Sequence, residues 1–96
     1  MNLNDHMIEC LGKLGNPFKE VHIWLDEYFH DPKYKARHRK KRHHLAGIEE
    51  VRKKWGDEAA EAAYIHIVSD LKMEGWNPEK DRMPLNEMDY IKMGLF

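Results

Sequence analysis

Apolar residues recur at helical spacing along most of the chain, and no stretch alternates apolar and polar residues over the length of a strand. The clearest stripe follows i, i+3, i+4, i+7 spacing. Its members are Phe18, Val21, Trp24, Leu25, Tyr28 and Phe29. Asn16 is a suitable N-cap, and Pro17 favours the first helical position. The pattern predicts a helix over residues 17–30.

Two further helices are predicted on either side of a basic region. The first covers residues 4–14 and ends at Gly15, because glycine commonly terminates helices. Its expected inner stripe is Met7, Leu11 and Leu14. The second covers residues 58–74, is rich in alanine, follows a cap at Asp57 and ends at Gly75.

The basic region is predicted to be helical as well. The dipeptide Asp31-Pro32 is typical of a helix start, and the helix is expected to run to about residue 46 and then continue toward Trp55. Gly47 is a candidate interruption. A short helix over residues 86–93 is predicted in the tail. Its apolar residues, expected to cover the core, are Met88, Ile91 and Leu95.

Length and composition favour a single small domain. A chain of 96 residues has room for one core, and 42% hydrophobic residues are compatible with a folded globule. We therefore predict an all-α fold, a compact bundle of four to five helices over residues 1–96. The motifs discussed below lie within residues 17–75, and residues 76–96 form the tail.

The cysteine count and the hydropathy narrow the class of protein. Cys10 is the only cysteine, which excludes an internal disulfide framework, and we interpret it as a small buried hydrophobe. No apolar run is long enough to cross a bilayer, and neither end carries a recognisable targeting or lipidation signal. The expectation is a soluble, cytoplasmic protein without a membrane partner.

The charge is distributed unevenly. The net charge is −1, but residues 33–44 carry seven Lys/Arg and no acid, while the remainder carries nine Lys/Arg against 17 acids, or −8. Such a basic block either pairs with acids of the same fold or faces an anionic partner such as a nucleotide or a nucleic acid.

Two similar stretches, VHIWLD at 21–26 and IHIVSD at 65–70, each place a histidine four residues before an aspartate. On a helix this spacing puts both side chains on one face, which suits two metal ligands or a hydrogen bond from His to Asp. Either the pairs converge on one polar site, or each lies separately at the edge of a core helix. Asp70 favours convergence, because an aspartate seldom lies beside an apolar stripe unless it is paired or binds an ion.

The basic region supplies further histidines. On a straight helix His44 shares a face with Ile48 and Val51 and points inward, whereas His43 points almost oppositely. A bend at Gly47 would reverse this assignment, so both histidines stay candidates. We interpret His6 and His30 as solvated residues at helix ends.

The ordered motifs H-x-W-L-D (22–26), R-H-R (37–39), H-x3-G-I (43–48) and H-I-x2-D-L (66–71) resemble a group of short bacterial and phage proteins of uncharacterised function. The resemblance covers residues 18–71. The arrangement is also loosely similar to HD-type metal phosphohydrolases, helical bundles whose His and Asp ligands come from separate helices. The His-Asp dipeptide that defines those enzymes is His43-His44 in this chain.

Together, the pairs and the resemblance predict a small metal-binding domain, with a phosphohydrolase or nuclease acting on a nucleotide-like substrate as the specific hypothesis. The expected cofactor is a divalent ion, zinc, manganese or iron. The predicted metal ligands are His22, Asp26, His43, His44, His66 and Asp70. The predicted anion-binding residues are Arg37, His38, Arg39 and Arg42.

The alternative hypothesis is a module without catalytic activity that binds nucleic acid or a protein through the basic helix 33–46. Seven cations on one helix would bind phosphates in a salt-dependent way. The acidic remainder of the chain opposes this unless it lies on the far side. A homodimer is a further candidate assembly.

Overall fold

A computed structural model describes residues 2–95, apart from the side chain of Ala36, so that Met1 and Phe96, the last residue of the tail, lie outside the described range. Two 3₁₀ turns, Glu27–His30 and Lys35–Arg37, join longer elements. The α-helices of this range are α1 (Leu3–Leu14), α2 (Lys19–Leu25), α3 (Arg39–Arg42), α4 (Leu45–Trp55), α5 (Asp57–Met73) and α6 (Glu87–Lys92).

The all-α prediction is confirmed, since residues 2–95 contain no strand and pack as one helical bundle. α5 is central and contacts α1, α2 and α4. Its extent agrees with the predicted 58–74 to within a residue. Among the described residues, no helix combines the length and the apolar character needed to cross a bilayer.

The alanines of α5 explain its central position. Four of them are at most 2% exposed, and they are Ala59, Ala60, Ala62 and Ala63. Their short side chains let neighbouring helices approach closely, and Cys10 Sγ of α1 lies 3.9 Å from the Ala62 carbonyl oxygen. Cys10 is fully buried, as expected. Ile67 and Leu71 continue the apolar face toward the end of the helix.

α1 differs from prediction in the face that it buries. Its ends are as expected, with a capping box at Asn2 and a left-handed Gly15 after Leu14. The predicted inner stripe is wrong, because Leu11 is 53% exposed while His6 and Cys10 are buried. The helix turns His6 and Cys10 toward α5, so its buried face contains a histidine and a small cysteine instead of the apolar stripe.

The predicted helix over 17–30 is interrupted. α2 begins only after Phe18, whose φ of 50° is left-handed, and the Asn16 side chain accepts from the Phe18 N–H instead of capping a helix from Pro17. The α-helix ends at Leu25, and Asp26 leads into the 3₁₀ turn. Asp26 therefore leaves the helical path, and its carboxylate faces several elements at once.

The continuous basic helix is also wrong. The 3₁₀ turn Lys35–Arg37 and the single turn of α3 replace it. Helical structure stops after Arg42, and His43 and His44 are non-helical residues before α4 begins. His44 is the N-cap of α4, with Nδ1 accepting from the Gly47 N–H at 3.1 Å. Gly47 does not bend a helix. Any Cβ at Gly47 would lie 1.9 Å from the Arg42 carbonyl oxygen, so glycine is required there for the close approach of two backbones.

The tail helix forms close to its predicted place, with Asn86 as N-cap. Its buried face differs, since Met88 is 60% and Ile91 38% exposed, whereas Tyr90 and Leu95 pack into the core. The Pro84 and Leu85 carbonyls accept hydrogen bonds from the first N–H groups of α4. The tail is thus attached to the start of α4.

Candidate metal centre

The two His–Asp pairs meet in the interior of the bundle. His66 Nε2 lies 3.3 Å from Asp26 Oδ1 and 3.2 Å from Asp70 Oδ2. His43 Nε2 lies 2.9 Å from Asp70 Oδ2 and 3.4 Å from Asp26 Oδ1. We call these four residues, Asp26, His43, His66 and Asp70, the four-donor cluster. They come from the end of α2, the break before α4, and two successive turns of α5.

The distances within the four-donor cluster match those expected around one ion. Ligands bound at about 2.0–2.1 Å in a tetrahedron are about 3.3–3.4 Å apart, and neighbouring octahedral ligands about 2.9 Å apart. The four measured N···O distances lie between 2.9 and 3.4 Å. All four donor atoms lie within 4.8 Å of one another. The cluster could therefore hold a divalent ion with little movement of its side chains.

The charges of the cluster also favour a cation. Burial by itself raises the pKa of Asp70, but the hydrogen bond with His43 and the nearby imidazole nitrogens of His6 and His66 outweigh it and hold the pKa far below its usual range. For Asp26, the hydrogen bond with His38 and the nearby His66 ring likewise outweigh burial and lower the pKa. Burial lowers the pKa of His43 to about 4. Two ionised carboxylates thus lie beside a neutral imidazole, a set of donors suited to a cation.

His66 connects the cluster to a chain of hydrogen bonds. His22 Nε2 lies 2.9 Å from the Pro17 carbonyl oxygen, which can only accept, so this nitrogen carries a proton. His22 Nδ1 lies 2.9 Å from His66 Nδ1. Burial and then the charges of His66 and His6 lower the pKa of His22 to about 4, so its ring is neutral. His22 Nδ1 therefore accepts from the Nδ1–H of His66.

Several buried polar atoms of this region lack a hydrogen bond. They are His6 Nδ1 and Nε2, Arg39 Nε, His43 Nδ1, His66 Nε2 and Asp70 Oδ1. His66 Nε2 has carboxylate oxygens of Asp70 and Asp26 at 3.2 and 3.3 Å, and Asp70 Oδ1 has His6 Nε2 at 3.2 Å and an Arg39 guanidinium nitrogen at 3.5 Å, but none of these contacts has hydrogen-bond geometry. Buried atoms without partners are rare in native proteins. An ion in the four-donor cluster would satisfy His66 Nε2, so the residues present fit a metal.

Two of the predicted anion-binding residues lie at the cluster. His38 is 7% exposed, donates from Nδ1 to the Lys35 carbonyl at 2.8 Å, and places Nε2 3.1 Å from Asp26 Oδ1. Arg39 has one guanidinium nitrogen 3.5 Å from Asp70 Oδ1 and another 3.3 Å from Glu74 Oε1. His38 is thus part of the buried site.

The remaining predicted site residues lie elsewhere. His44 caps α4 and also donates to the Lys41 carbonyl at 3.0 Å, so it is not in the cluster. Arg42 lies over the Trp24 ring, 4.0 Å from its centroid, and pairs with Glu27 at 3.0 Å. Arg37 is exposed. The two histidines differ because residues 43 and 44 are not helical. The His43 side chain therefore points inward, and the His44 side chain points toward the helix that it caps.

His6 is the residue that the sequence interpretation missed. It is 1% exposed rather than solvated, and its ring stacks on His66 with centroids 3.6 Å apart and an interplanar angle of 15°. Its Nε2 lies 3.2 Å from Asp70 Oδ1. A signal existed, since His6 lies four residues before Cys10, which was expected to be buried. His30 is exposed, as expected.

A cleft of ≈480 Å³ leads from the surface to the cluster. Asp26, with its side chain 31% exposed, and Asp70 form its floor. Arg39 and His38 line one side, and the apolar lining consists of Leu3, Ile23 and Phe29. A hollow of ≈590 Å³ over α4 and α5 contains none of these residues. The cleft is of the size that binds small molecules.

Comparisons of the chain with protein-family models, with curated proteins and with solved structures give no match. The resemblance to short bacterial and phage proteins, and the looser one to HD-type enzymes, therefore stay predictions. What the fold and the geometry establish is an all-α bundle with a buried His/Asp cluster that could bind a metal ion.

Proposed function

We propose that this protein is a small metal-dependent phosphohydrolase that acts on a nucleotide-like phosphoester. The observation that carries the proposal is the four-donor cluster, in which imidazole nitrogens and carboxylate oxygens lie 2.9–3.4 Å apart and all four donor atoms lie within 4.8 Å of one another. Asp26, His43, His66 and Asp70 would hold the ion. A mixed imidazole and carboxylate set is compatible with zinc, manganese or iron.

When bound, a divalent ion supplies Lewis-acid activation of a water molecule and of a phosphoryl oxygen. The protein itself supplies charge and shape. Arg39 brings a permanent positive charge to the wall of the cleft, and its planar guanidinium suits two phosphate oxygens. In the present arrangement that charge is balanced by Asp70 and Glu74.

The cleft can accommodate the rest of a phosphoester. Phe29 is 52% and Ile23 50% exposed, and both line the cleft beside the polar floor. An exposed aromatic ring in the same cleft as the Arg39 guanidinium suits a substrate with a phosphate group and a flat apolar group. His38, whose Nε2 contacts Asp26, is positioned to hold a proton near the floor of the cleft.

Metal binding is the first test. The protein would be purified without a polyhistidine tag, treated with a chelator, and analysed for bound metal and melting temperature after addition of Zn²⁺, Mn²⁺ or Fe²⁺. We expect one ion per chain and a higher melting temperature, both lost in His43→Asn. His44→Asn is the matched control, because asparagine is a good N-cap and His44 lies outside the cluster. If none of the three ions changed the melting temperature, the proposal would be refuted.

Hydrolysis is the second test. The metal-loaded protein would be assayed on bis(p-nitrophenyl) phosphate and on nucleoside monophosphates, beside the Arg39→Gln variant. We expect Arg39→Gln to keep its ion but to lower kcat/KM about 100-fold, the order found when one charge-stabilising donor is removed. Stoichiometric metal without turnover of any phosphoester would leave a metal-binding domain and exclude the hydrolase.

The alternative, a binding module that uses residues 33–46, has less support. Three cations of this segment are engaged within the chain: Arg39 with Asp70 and Glu74, Arg42 with Glu27, and Lys41 with Glu87 at 3.1 Å. Titration of labelled DNA and RNA at two salt concentrations decides between them. Tight binding that weakens steeply with salt would favour the module. The mass of the particle in the same solution tests for a homodimer.

A further inference from the structure

We infer that His22, which the motif predicts as a metal ligand, binds no ion but orients His66, the ligand beside it. This inference rests on the proposed function, because it assigns His66 Nε2 to the ion. His22 would be a positioning residue that relays a hydrogen bond from the Pro17 carbonyl to the four-donor cluster. Its ring connects the loop before α2 to the middle of α5.

The hydrogen-bond partners of His22 determine which of its ring nitrogens carries a proton. A carbonyl oxygen only accepts, so the 2.9 Å contact with Pro17 requires a proton on His22 Nε2. If His66 Nε2 uses its lone pair to bind an ion, the proton of His66 must be on Nδ1. That proton points at His22 Nδ1, 2.9 Å away. Each nitrogen of the pair then has one partner, and His22 Nδ1 has no lone pair left for a metal.

The relative orientation of the His22 and His66 rings also indicates a hydrogen bond between them. The centroids of His22 and His66 are 5.1 Å apart with an interplanar angle of 19°. Combined with the 2.9 Å Nδ1···Nδ1 distance, this means that the rings meet edge to edge, nearly in one plane. A head-on contact of this kind is a hydrogen bond. Two ligands of one ion instead direct their lone pairs at a third point.

The hydrogen bond between His66 and His22 also fixes the orientation of the metal-binding ring. Metal-binding histidines usually donate their second N–H to an acceptor that fixes the ring and raises its basicity. His66 is held in this way at its edge by His22 and on its face by the stacked ring of His6. Both neighbours are 1% exposed, so water cannot replace them readily. His66 is therefore held ready to bind before an ion arrives.

Substitutions at His22 separate a ligand from a positioning residue. An asparagine oxygen lies close to the place of the Nδ1 atom and can accept the hydrogen bond, whereas leucine cannot. We expect His22→Leu to weaken zinc binding 10–100-fold at unchanged stoichiometry, the effect of losing such a partner. His22→Asn should recover most of that loss. His43→Asn, which removes a ligand, should abolish stoichiometric binding, and His44→Asn should have no effect.

The absorption spectrum of the cobalt-substituted protein gives a second readout, since it reports the donor atoms. It should be the same for wild type and His22→Asn. The inference is overturned if His22→Asn loses zinc as completely as His43→Asn, or if its cobalt spectrum changes. A wild-type protein that binds no zinc or cobalt overturns the proposed function and this inference together, so the two failures are distinguishable.

NMR of the wild-type protein tests the same inference without any variant. Long-range ¹H–¹⁵N correlation of the imidazole rings should show His22 protonated at Nε2 and His66 at Nδ1. On addition of zinc, His66 Nε2 should acquire the shift of a metal ligand, and His22 Nδ1 should not. A His22 ring protonated at Nδ1, or a metal-ligand shift on His22, overturns the inference even if every variant fails to fold.

Discussion

The two halves of α5 are equally buried but differ in what they contain. The first half presents Ala59, Ala60 and Ala63 to its neighbours, and its contacts are apolar. The second half presents His66 and Asp70, at 0% and 2% exposure, to three further histidines, His6, His22 and His43, and to a second carboxylate, Asp26. The first half can be satisfied by close packing alone. The second half contains polar atoms that packing leaves without partners, which is where an ion would contribute most.

The largest expected effect follows from adding and removing the ion. An ion bound only by the folded state stabilises it by about 4 kcal/mol at a free concentration about 1,000 times Kd. We expect zinc to raise the free energy of unfolding of the wild type by this order and to leave Asp70→Asn unchanged, in urea titrations with and without zinc.

Glu61→Gln is the control for that substitution, because it removes an exposed carboxylate from the alanine-rich half of the same helix. It should keep the full response to zinc. If zinc raised the free energy of unfolding of Asp70→Asn and of Glu61→Gln by the same amount, the polar half of α5 would need no ion.

The second effect is the pH dependence of the metal-free protein. The pKa values of His22 and His43 are lowered to about 4 in the fold, chiefly by burial, whereas exposed histidine titrates near 6.5. Between these values the unfolded chain binds more protons, so the free energy of unfolding should fall as pH falls from 6.5 to 4. Two such groups give a slope of up to about 2.7 kcal/mol per pH unit.

His66 acts in the opposite direction. Burial alone would lower its pKa, but the nearby carboxylates of Asp26 and Asp70 raise it, so its contribution is present below pH 6.5 and is lost at higher pH. Urea titrations at several pH values between 4 and 7.5 measure the slope. In His22→Asn the slope should be about half as steep. A flat profile in the wild type would contradict the burial of neutral histidines.

The third effect is the loss of stability expected when a larger side chain is placed in the alanine-rich half of α5. Ala63 is fully buried where helices approach α5, so Ala63→Leu should cost about 1–3 kcal/mol through overpacking. Chemical denaturation measures this, and the exposed Ala46→Leu should change stability little. If Ala63→Leu were neutral, the short side chains would not be what allows the close approach.

The smallest effect concerns the support of Arg39. Tyr90 donates to Glu74 Oε2 at 2.9 Å, and Glu74 Oε1 in turn pairs with Arg39. Tyr90→Phe keeps the apolar packing and removes one hydrogen bond to a charged group, which should cost about 1.5 kcal/mol. Zinc affinity should remain the same, since the Tyr90 hydroxyl donates to Glu74, which is not a residue of the four-donor cluster. A large loss of zinc would mean that the tail shapes the cluster itself.

Residues whose environment is local were predicted well. The capping glycine Gly15, the extent of α5 and the shared face of His66 and Asp70 depend only on short-range spacing, and the structure has them as expected. The choice between His43 and His44 could not be made in this way. It depends on which ring packs against a distant part of the chain, since His43 Nε2 lies 2.9 Å from Asp70 Oδ2, 27 residues away, whereas His44 caps the helix that it precedes.

By itself, the sequence determined that this protein is helical and that His66 and Asp70 share one helix face, because helix spacing orients side chains relative to their own backbone. Only the tertiary structure decided that Asp26 leaves the path of its helix to meet this face, and that His6 joins them. The physical reason is that burial and hydrogen bonding of a polar side chain depend on partners far away in the chain. No local pattern records those partners.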